Sequence, residues 1–310
     1  MNKLISIVTP TFNEEENITI LCREITKKME ELKYDYEHIV IDNSSTDGTI
    51  KILKNLSNEN KNLKVIINKK NFGHIRSPMH GMFQASGDAV ILMMSDLQDP
   101  IELISKYIKE WENGNKVVMG QKDSSDENFF FRLIKRVGYK FINKISDDPL
   151  LVNTTGSGLY DKSIIDIIKK IDDPYPYFRG LISEITNETK LVKYHQPKRS
   201  KGRTKNNFYT LYDIGILGII KHSKIPLRVM TFLGFVLSLA SLLVALVYLI
   251  YKLIFWDSFE IGLAPIVIGL FALGFFQIFI LGFIGEYVMS ILTHSRKLPL
   301  VIEKERINFD

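Results

Sequence analysis

The segment Ile91–Pro100, ILMMSDLQDP, has the pattern of a buried strand that ends in polar side chains. Four apolar residues precede a polar group that includes Asp96, Gln98 and Asp99, and the proline that follows suits the first turn of a helix. In open α/β sheets, ligands bind beyond the carboxyl ends of the strands, where loops and helix starts converge. The segment therefore predicts a strand whose end contributes side chains to a binding site.

The same alternation of apolar runs and helix-like segments recurs along the first two thirds of the chain. Strand-like runs are LISIV, EHIVID, LKVIIN, AVILMM and KVVMG. Helix-like segments lie between them, at residues 14–32, 46–56, 75–85 and 100–112. A repeated order of strand, helix and strand indicates a parallel sheet covered on both faces. The predicted fold class is therefore a doubly wound α/β domain with a mostly parallel sheet, over residues 1–206.

Polar side chains follow several of these strand-like runs. Asn13 and Glu14 come after the first run, Asp42 ends the second, and Asp96 ends the fourth. One such residue would commonly be a helix cap. Because the carboxyl ends of parallel strands meet at one edge of the sheet, several of them together favour a binding crevice.

The chemistry of this crevice points to a phosphate ligand with a divalent cation. Carboxylates that face a nucleotide diphosphate would repel it unless a cation lies between them. Asp96 and the amide oxygen of Gln98 provide part of an oxygen ligand set for Mg²⁺ or Mn²⁺. The chain has no G-x-x-x-x-G-K-[ST] motif, so a P-loop nucleotide enzyme is not supported. The run GSGLYD, Gly156–Asp161, lacks the third glycine of a dinucleotide fingerprint and is interpreted as a turn before a helix.

Two long apolar runs in the last third predict membrane spans at about 229–251 and 261–284, since each reaches the roughly 20 residues that cross a hydrocarbon core. The alternative is a pair of buried helices in a large soluble protein. Lys and Arg precede the first run and follow the second, whereas the link between them carries Asp257 and Glu260. This asymmetry predicts that the α/β domain and both termini are cytoplasmic, at the inner (plasma) membrane.

The flanking segments complete the predicted organisation. Residues 207–228 have the pattern of an amphipathic segment, which would lie in the membrane interface or dock on the soluble domain. Residues 293–310 are predicted to be a basic cytoplasmic tail. The net charge of +5 suggests a phosphate or anionic membrane partner and no nucleic acid. Small residues in the second run would permit a homo-oligomer or packing on the first run; they are Gly269, Gly274 and Gly282.

Six motifs, taken in order, resemble the polyprenyl-phosphate glycosyltransferases of glycosyltransferase family two. They are VTPTFNEEENI, IVIDNSSTDGT, SDLQDPIEL, YFRGLISEI, KRSKGRTK and, after the apolar runs, GEYVMSIL. The resemblance covers nearly the whole chain and implies a GT-A-like nucleotide-sugar domain. It also implies transfer of one sugar, with inversion, from a nucleotide-diphosphate sugar to a polyprenyl phosphate such as undecaprenyl phosphate. Uridine is the preferred base by this analogy, with guanosine as the alternative.

The resemblance also assigns candidate site residues. Those implied to hold the base and ribose are Pro10, Phe12, Glu14 and Asp42. Asp96 and Gln98 would hold the metal, and Lys122 and Arg136 are candidates for donor or acceptor phosphate. The lipid phosphate would meet a basic group formed by Arg179, Arg199, Arg203 and Lys205. For the last three of these, the alternative is a solvated basic loop attracted to anionic lipid.

Two departures from the family pattern affect this assignment. Met94 stands where relatives often have the first carboxylate of an Asp-x-Asp motif, so the metal would bind more weakly or Asp99 would contribute. An acidic residue is also missing near Gly156, which leaves Glu184 as a substitute catalytic base or sugar contact. The nucleophile, a phosphate monoester with a second pKa of about 6, is mostly ionised without a base.

Two alternative functions stay open at this point. A processive polysaccharide synthase would share the nucleotide-binding half, but the chain lacks the Gln-x-x-Arg-Trp motif of such enzymes. A membrane-anchored binding protein with a degenerate site would explain why acidic residues of the family pattern are missing at Met94 and near Gly156.

Overall fold

The computed structural model describes residues 3–124, 154–197, 225–255, 263–296 and 298–309. The strands are β1 (Leu4–Thr11), β2 (Asp35–Asp42), β3 (Leu63–Asn68), β4 (Ala89–Leu92), β5 (Val117–Ser124), β6 (Thr154–Asp161), β7 (Thr189–His195) and β8 (Glu303–Ile307). The helices are α1 (Ile18–Leu32), α2 (Thr49–Glu59), α3 (Gly73–Phe83), α4 (Leu103–Glu112), α5 (Lys162–Ile171), α6 (Phe178–Ile185), α7 (Ile225–Ile254) and α8 (Leu263–Ser295).

The eight strands form one mixed sheet in the order β7-β5-β6-β4-β1-β2-β3-β8. The centre is parallel, since β1 pairs with β2 and β4, and β2 pairs with β3. The chain proceeds from β1 to β3 in one direction and then crosses back to place β4 on the other side of β1. This reversal opens a crevice beyond the carboxyl ends of β1 and β4, where ligands bind in such sheets. The prediction of a doubly wound, mostly parallel α/β sheet is confirmed.

Helices cover both faces of the sheet. On one face, α1 and α4 pack against β1 and β4 in a cluster that includes Leu21, Ile25 and Tyr107. On the other face, α3, α5 and α6 pack in a second cluster that includes Met79 and Ile168. The central strands are therefore buried on both sides, which explains why they read as continuous apolar runs in the sequence.

The GSGLYD run forms most of β6 and is not the turn that the sequence suggested. Gly158 pairs with Met119 and Leu92, and a Cβ atom at this position would lie only 2.3 Å from the carbonyl oxygen of Val118. Glycine is required here because two backbones approach closely. The helix expected after the run does follow directly, as α5.

The two long helices cover the apolar runs, and many of their large side chains are exposed, among them Phe232, Leu243, Ile278 and Leu281. This argues against the alternative of two buried helices in a soluble protein. Of the described residues, one segment, Leu273–Ser295, is long and apolar enough to cross a membrane, with a mean hydropathy of 1.8. The sequence predicted two such segments, and α8 continues beyond the predicted end at residue 284.

The segment after α8 returns to the sheet. Residues Glu303–Ile307 form β8, which pairs antiparallel with β3 at the edge of the sheet. The sequence interpretation assigned these residues to a basic tail and did not predict a strand. The side chains of β8 alternate between half-buried and exposed and are mostly charged, as is common on edge strands.

Candidate active site

The strands bring the predicted polar residues to one edge of the sheet. Thr11, at the end of β1, is in register with Asp42, at the end of β2. On the other side of β1, the backbone N–H of Met93 continues the pairing beyond β4 by donating to Val8. Asp96 follows three residues later. The strands that carry Asp42 and Asp96 are thus two strand spacings apart, roughly 10 Å, at the same carboxyl edge.

The loops at this edge contain three residues with left-handed backbone. They are Asn13 (φ 54°), Ser44 (φ 66°) and Leu97 (φ 57°), which follow β1, β2 and β4 respectively. Such a conformation is uncommon outside glycine, and for a leucine it is costly, on the order of 1–3 kcal/mol. It persists only where neighbouring contacts fix the backbone. The three adjacent loops are therefore held in defined shapes, as functional sites require.

Asp42 organises the loop that follows β2. Its side chain is buried, and its two oxygens accept hydrogen bonds from the backbone N–H of Ser45 (2.8 Å) and from the Ser45 hydroxyl (2.5 Å). Burial raises the pKa of the Asp42 carboxyl, and the negative charge of Asp47 raises it further, whereas the bonds from Ser45 oppose this shift. The structure therefore shows Asp42 as an anchor of its loop, and its contact with a ribose or base stays a prediction.

The loops after β1 and β2 are joined by further hydrogen bonds. The side-chain oxygen of Asn13 accepts from the backbone N–H of Thr46 (2.7 Å), and Glu15 accepts from the N–H of Gly48 (2.7 Å). Glu14 is buried, and its carboxylate accepts from the amide of Asn17 (2.7 Å). Pro10 and Phe12 lie at the end of β1, half-buried beside these loops. The sequence had not assigned roles to Thr46 or Ser45.

A group of asparagines extends this set of loop hydrogen bonds to β3. The side-chain oxygen of Asn43 accepts from the backbone N–H of Phe72 (2.8 Å) and from the amide of Asn68 (3.2 Å). Its amide donates to Asn71 (2.9 Å) and to the carbonyl oxygen of Gly73 (3.1 Å). Sequence reasoning missed these residues because each is an ordinary turn residue on its own, and their partners lie far along the chain.

The loop after β4 carries the candidate metal ligands. Asp96 is half-buried and accepts a hydrogen bond from the backbone N–H of Gln98 (3.2 Å), so the two residues lie together. The amide nitrogen of Gln98 lies 3.5 Å from the carbonyl oxygen of Pro197. A carboxylate and an amide oxygen are suitable ligands for Mg²⁺ or Mn²⁺ when a phosphate supplies others. Among the described residues, no group of three or more His, Cys, Asp or Glu side chains could hold a metal without such help.

Asp99 faces the protein interior. It is buried, and one of its oxygens accepts a hydrogen bond from the Tyr194 hydroxyl (2.7 Å) in β7. Burial raises the pKa of the Asp99 carboxyl, and the charge of Asp96 adds to this shift. Asp99 therefore connects the loop to β7, and the structure does not support it as a replacement for the carboxylate missing at Met94. Met94 itself packs against the apolar core.

Two predicted cations lie at the same edge. Lys122, near the end of β5, is in register with Tyr194, whose hydroxyl binds the Asp99 loop. Arg179, in the first turn of α6, donates to the carbonyl oxygen of Thr154 (3.0 Å) and lies over the ring of Tyr177. Because β6 runs antiparallel to β4, Thr154 is at the carboxyl edge of β4. Both residues therefore lie at the carboxyl edge of the sheet, and their contact with a phosphate stays a prediction.

Glu184 is less favourably placed. It is exposed in the last turn of α6, about 7.5 Å along the helix axis from Arg179. The helix leads away from the carboxyl edge, since β7 begins beside Val117 at the opposite edge. A role for Glu184 as catalytic base stays a prediction that this geometry does not favour. The remaining predicted residues, Arg136, Arg199, Arg203 and Lys205, lie outside the described residues, as do residues 207–224 of the interfacial segment.

Comparison with known proteins identifies the family of this chain. The sequence model described as "Glycosyl transferase family 2" matches residues 6–168. A bactoprenol glucosyl transferase of Shigella phage SfV is 31% identical over 301 residues, which are 97% of this chain and 98% of that protein. A prophage bactoprenol glucosyl transferase homolog of Escherichia coli K12 is 30% identical over 302 residues, with the same coverage.

A solved structure shows the same fold. Glucosyl-3-phosphoglycerate synthase from Mycobacterium tuberculosis superposes with a TM-score of 0.51 and 17% identity, over 70% of this chain and 78% of that one. The catalytic half therefore has a GT-A-like fold. The matched family region includes β1 to β4 and the loops that carry Asp42 and Asp96, and near full-length relatives share the rest of the chain. The chain belongs to glycosyl transferase family 2.

Proposed function

We propose that this enzyme transfers a single sugar from a nucleotide-diphosphate sugar, with a UDP-sugar as first choice, to a polyprenyl phosphate at the cytoplasmic face of the inner membrane. The similarity to bactoprenol glucosyl transferases supports a lipid-phosphate acceptor. The observation that carries the proposal is the position of α8, which reaches the catalytic domain at the edge of the sheet that holds the candidate site.

Two contacts define this position. The backbone N–H of Lys69, directly after β3, donates to the carbonyl oxygen of Ile302 (2.8 Å), so the chain that leaves α8 enters the sheet at the carboxyl end of β3. His294, in the last turn of α8, lies 3.2 Å from the carboxylate of Asp173. A membrane-embedded α8 would thus hold the carboxyl edge toward the lipid headgroups. An acceptor that stays in the bilayer would then meet the site directly.

The proposed topology has two spans, α7 and α8, with the catalytic domain and both termini in the cytoplasm. Both helices exceed the length needed to cross a bilayer, and the Lys and Arg residues outside the spans favour this orientation.

In the proposed reaction, an oxygen of the lipid phosphate attacks C1 of the sugar while the bond from C1 to the nucleoside diphosphate breaks, which inverts the configuration. The attacking phosphate is already ionised, so no side chain needs to remove a proton. A divalent cation, when bound by Asp96 and Gln98, would supply positive charge beside the departing diphosphate. Lys122 and Arg179 would bind and orient the phosphates from the same edge.

Manganese is the first metal to test, since the solved structure that shares this fold contains Mn²⁺ and UDP. Purified protein would be offered a panel of labelled nucleotide sugars with undecaprenyl phosphate, and label in the lipid phase would be counted. We expect one donor to label the lipid, with one sugar per lipid. A long glycan would instead indicate a processive synthase, and nucleotide-sugar binding without lipid labelling would indicate a binding protein.

Asp96→Asn is expected to reduce lipid labelling by about 100-fold or more, because the variant loses the carboxylate that would hold the metal. The matched control is Asp35→Asn, an exposed aspartate at the opposite edge of the sheet, where β2 begins. Equal activity of both variants would remove Asp96 from the mechanism.

A further inference from the structure

We propose that the outer face of α5, together with Leu298, rests on an anionic lipid surface and sets the height of the catalytic domain above the bilayer. This α5 face consists of Ile167 and Ile171, with Lys170 beside them. The inference rests on the proposed insertion of α8 in the membrane and goes beyond it, because a spanning helix alone does not determine how the attached domain is oriented.

The α5 face exposes apolar side chains that the core does not use. Ile164, Ile165 and Ile168 are buried against α3 and the sheet. Ile167 and Ile171, by contrast, are 43% and 44% exposed. Residues four apart lie on one side of a helix, so the two isoleucines form a continuous apolar strip.

The exposed large apolar residues of the catalytic domain are concentrated near α8. In the described residues outside 225–296, they are Ile20, Ile167, Ile171, Leu298 and Ile302. Leu298, 53% exposed, lies three residues beyond the end of α8, and Ile302 directly precedes β8. Only Ile20, on α1, is on neither α5 nor the segment after α8. This distribution indicates one apolar surface beside the end of the long helix.

A direct contact places α5 at the level where α8 would leave the membrane. Asp173 lies two residues beyond the end of α5, and its carboxylate is 3.2 Å from the imidazole of His294. His294 belongs to the apolar segment Leu273–Ser295 and lies one residue from its end. Ile171 and Ile167 follow within roughly 10 Å along α5. Interfacial helices bury their apolar side chains about 5–10 Å into the headgroup region, so the end of α5 next to Asp173 lies within reach of that region.

The charges around the strip suit an anionic surface. Lys170 is exposed on α5 next to the strip, and Arg296 follows α8. Lys162 and Lys169 are also exposed, but they lie on the other side of the helix. The acidic groups on or next to the helix are Asp161, Asp166, Asp172 and Asp173. Asp161 caps the start of α5 by accepting from the N–H of Ser163, and Asp173 faces His294. Basic residues beside an apolar strip are typical of helices that bind anionic lipid headgroups.

The test measures lipid contact at single positions in the full-length protein. Ile167→Cys and Ile171→Cys would be labelled with an environment-sensitive fluorophore and reconstituted into vesicles that contain phosphatidylglycerol. The matched control is Ile20→Cys, since Ile20 has nearly the same exposure, 42%, and lies on α1. The native Cys22 should stay unlabelled, because it is buried and burial raises the pKa of its thiol to about 12.

Nitroxide-labelled lipids would then report proximity to the membrane. With the nitroxide near the headgroup, we expect at least about threefold more quenching at positions 167 and 171 than at position 20. Leu281→Cys, exposed on α8, should be quenched by a nitroxide deep in the acyl chain. Quenching at Leu281 without excess quenching at 167 and 171 would overturn the α5 proposal alone. No quenching at Leu281 would contradict the membrane anchor and hence the proposed function as well.

A second experiment distinguishes whether lipid or another protein molecule contacts the α5 face. Replacing phosphatidylglycerol by phosphatidylcholine should lower the quenching at position 171 and leave that at position 281 unchanged. If the fluorophore at position 171 is instead shielded by another copy of the chain, energy transfer between differently labelled copies would rise and lipid quenching would be absent. That result would overturn the proposal in favour of a protein interface.

Discussion

A buried hydrogen bond connects the loop of the candidate metal ligands to the edge strand β7. The Tyr194 hydroxyl on β7 donates to Asp99, which lies next to Gln98 and three residues from Asp96. Because Asp99 is buried, its carboxyl depends on donors from within the protein. Tyr194 therefore acts on the site through the position of this loop.

Tyr194→Phe is expected to lower the free energy of unfolding by about 1–3 kcal/mol, since the buried carboxyl loses a donor. It should also reduce turnover more than nucleotide affinity. Thermal unfolding in detergent and steady-state lipid labelling would measure the two effects. The control is Tyr36→Phe, whose hydroxyl meets Asn60 only at 3.4 Å. Equal behaviour of the two variants would show that the bond to Asp99 contributes nothing.

At the residue scale, the sequence predicted where polar residues lie on the strands and loops better than it predicted which residues they contact. It placed Asp42, Asp96 and Gln98 at one edge because each follows a recognisable strand. It could not predict that Ser45 occupies both oxygens of Asp42, or that Asp99 faces Tyr194, since such partners depend on the tertiary fold. Local patterns carry information about position along an element and very little about distant pairs.

Among the elements, β2 is fixed at its amino end by Glu37. This buried carboxylate accepts from Lys64 on β3 (2.7 Å), from Ser6 on β1 (2.5 Å), and from the N–H (2.7 Å) and hydroxyl (2.8 Å) of Ser86. Burial raises the pKa of Glu37, but these hydrogen bonds together outweigh it and lower the pKa below its usual value. One side chain thus holds three adjacent strands at the edge opposite the site.

Glu37→Gln is expected to destabilise the fold by about 1–3 kcal/mol at neutral pH, with unchanged turnover per folded molecule. A lowered pKa contributes stability above the unfolded value of about 4.3, and that stability is lost as the pH falls through the folded value. The difference in melting temperature between wild type and Glu37→Gln should therefore be full at pH 7 and shrink below about pH 4.3. Unfolding curves at several pH values measure it.

Glu31→Gln provides the matched control for this experiment. Glu31 pairs with Lys28 on the exposed side of α1, so its removal should leave the melting temperature unchanged at every pH. If the melting temperature of the wild type exceeded that of Glu37→Gln by a constant amount down to pH 3, the assignment of the pH dependence to Glu37 would be contradicted.

Strands differ in how well the sequence reveals them. The apolar runs of β1 to β5 were recognised because both faces of the central sheet are buried. β6 was missed because close backbone contact requires glycine at position 158, and glycine indicates a turn when it is read locally. β7 and β8 were missed because most of their side chains are half-buried or exposed, so neither has a continuous apolar pattern.

For the whole molecule, the segment after α8 connects this long helix to the catalytic domain. Its side chains bind α2 and α3 as well as β3. Lys54 pairs with Glu305 (2.7 Å), His80 with Glu303 (2.5 Å), and Asn308 donates to the carbonyl oxygens of Ser57 (2.7 Å) and Leu63 (2.8 Å). The link is short and held on several sides, so it transmits the position of α8 to the domain.

A flexible insertion of about six Gly and Ser residues between Arg296 and Lys297 should decouple the two parts. We expect nucleotide-sugar binding to persist, because the loops of the site are braced within the domain. Lipid labelling should fall at least about tenfold, since the site would no longer be held at a fixed height. Calorimetry and the labelling assay give the two measurements. Unchanged labelling would show that the link has no positioning role.

At this largest scale, the sequence predicted the components but not their orientation. Hydropathy located the long helices, whereas the cytoplasmic placement of the domain, predicted from charge, stays a prediction. The edge of the sheet that meets α8 depends on the pairing of β8 with β3, two segments that are far apart in the chain. No local pattern specifies such a pairing, so the orientation of the site relative to α8 could not be predicted from the sequence.

The position of β8 also has a consequence for biosynthesis. The ribosome makes β1 to β7 first and both long helices next, so the outer edge of β3 stays unpaired until Glu303–Ile307 emerge. The catalytic sheet can be completed only after both hydrophobic helices have been synthesised. If these helices insert into the bilayer as proposed, translation order couples maturation of the domain to insertion. A chain released before residue 303 would expose an open strand edge to aggregation.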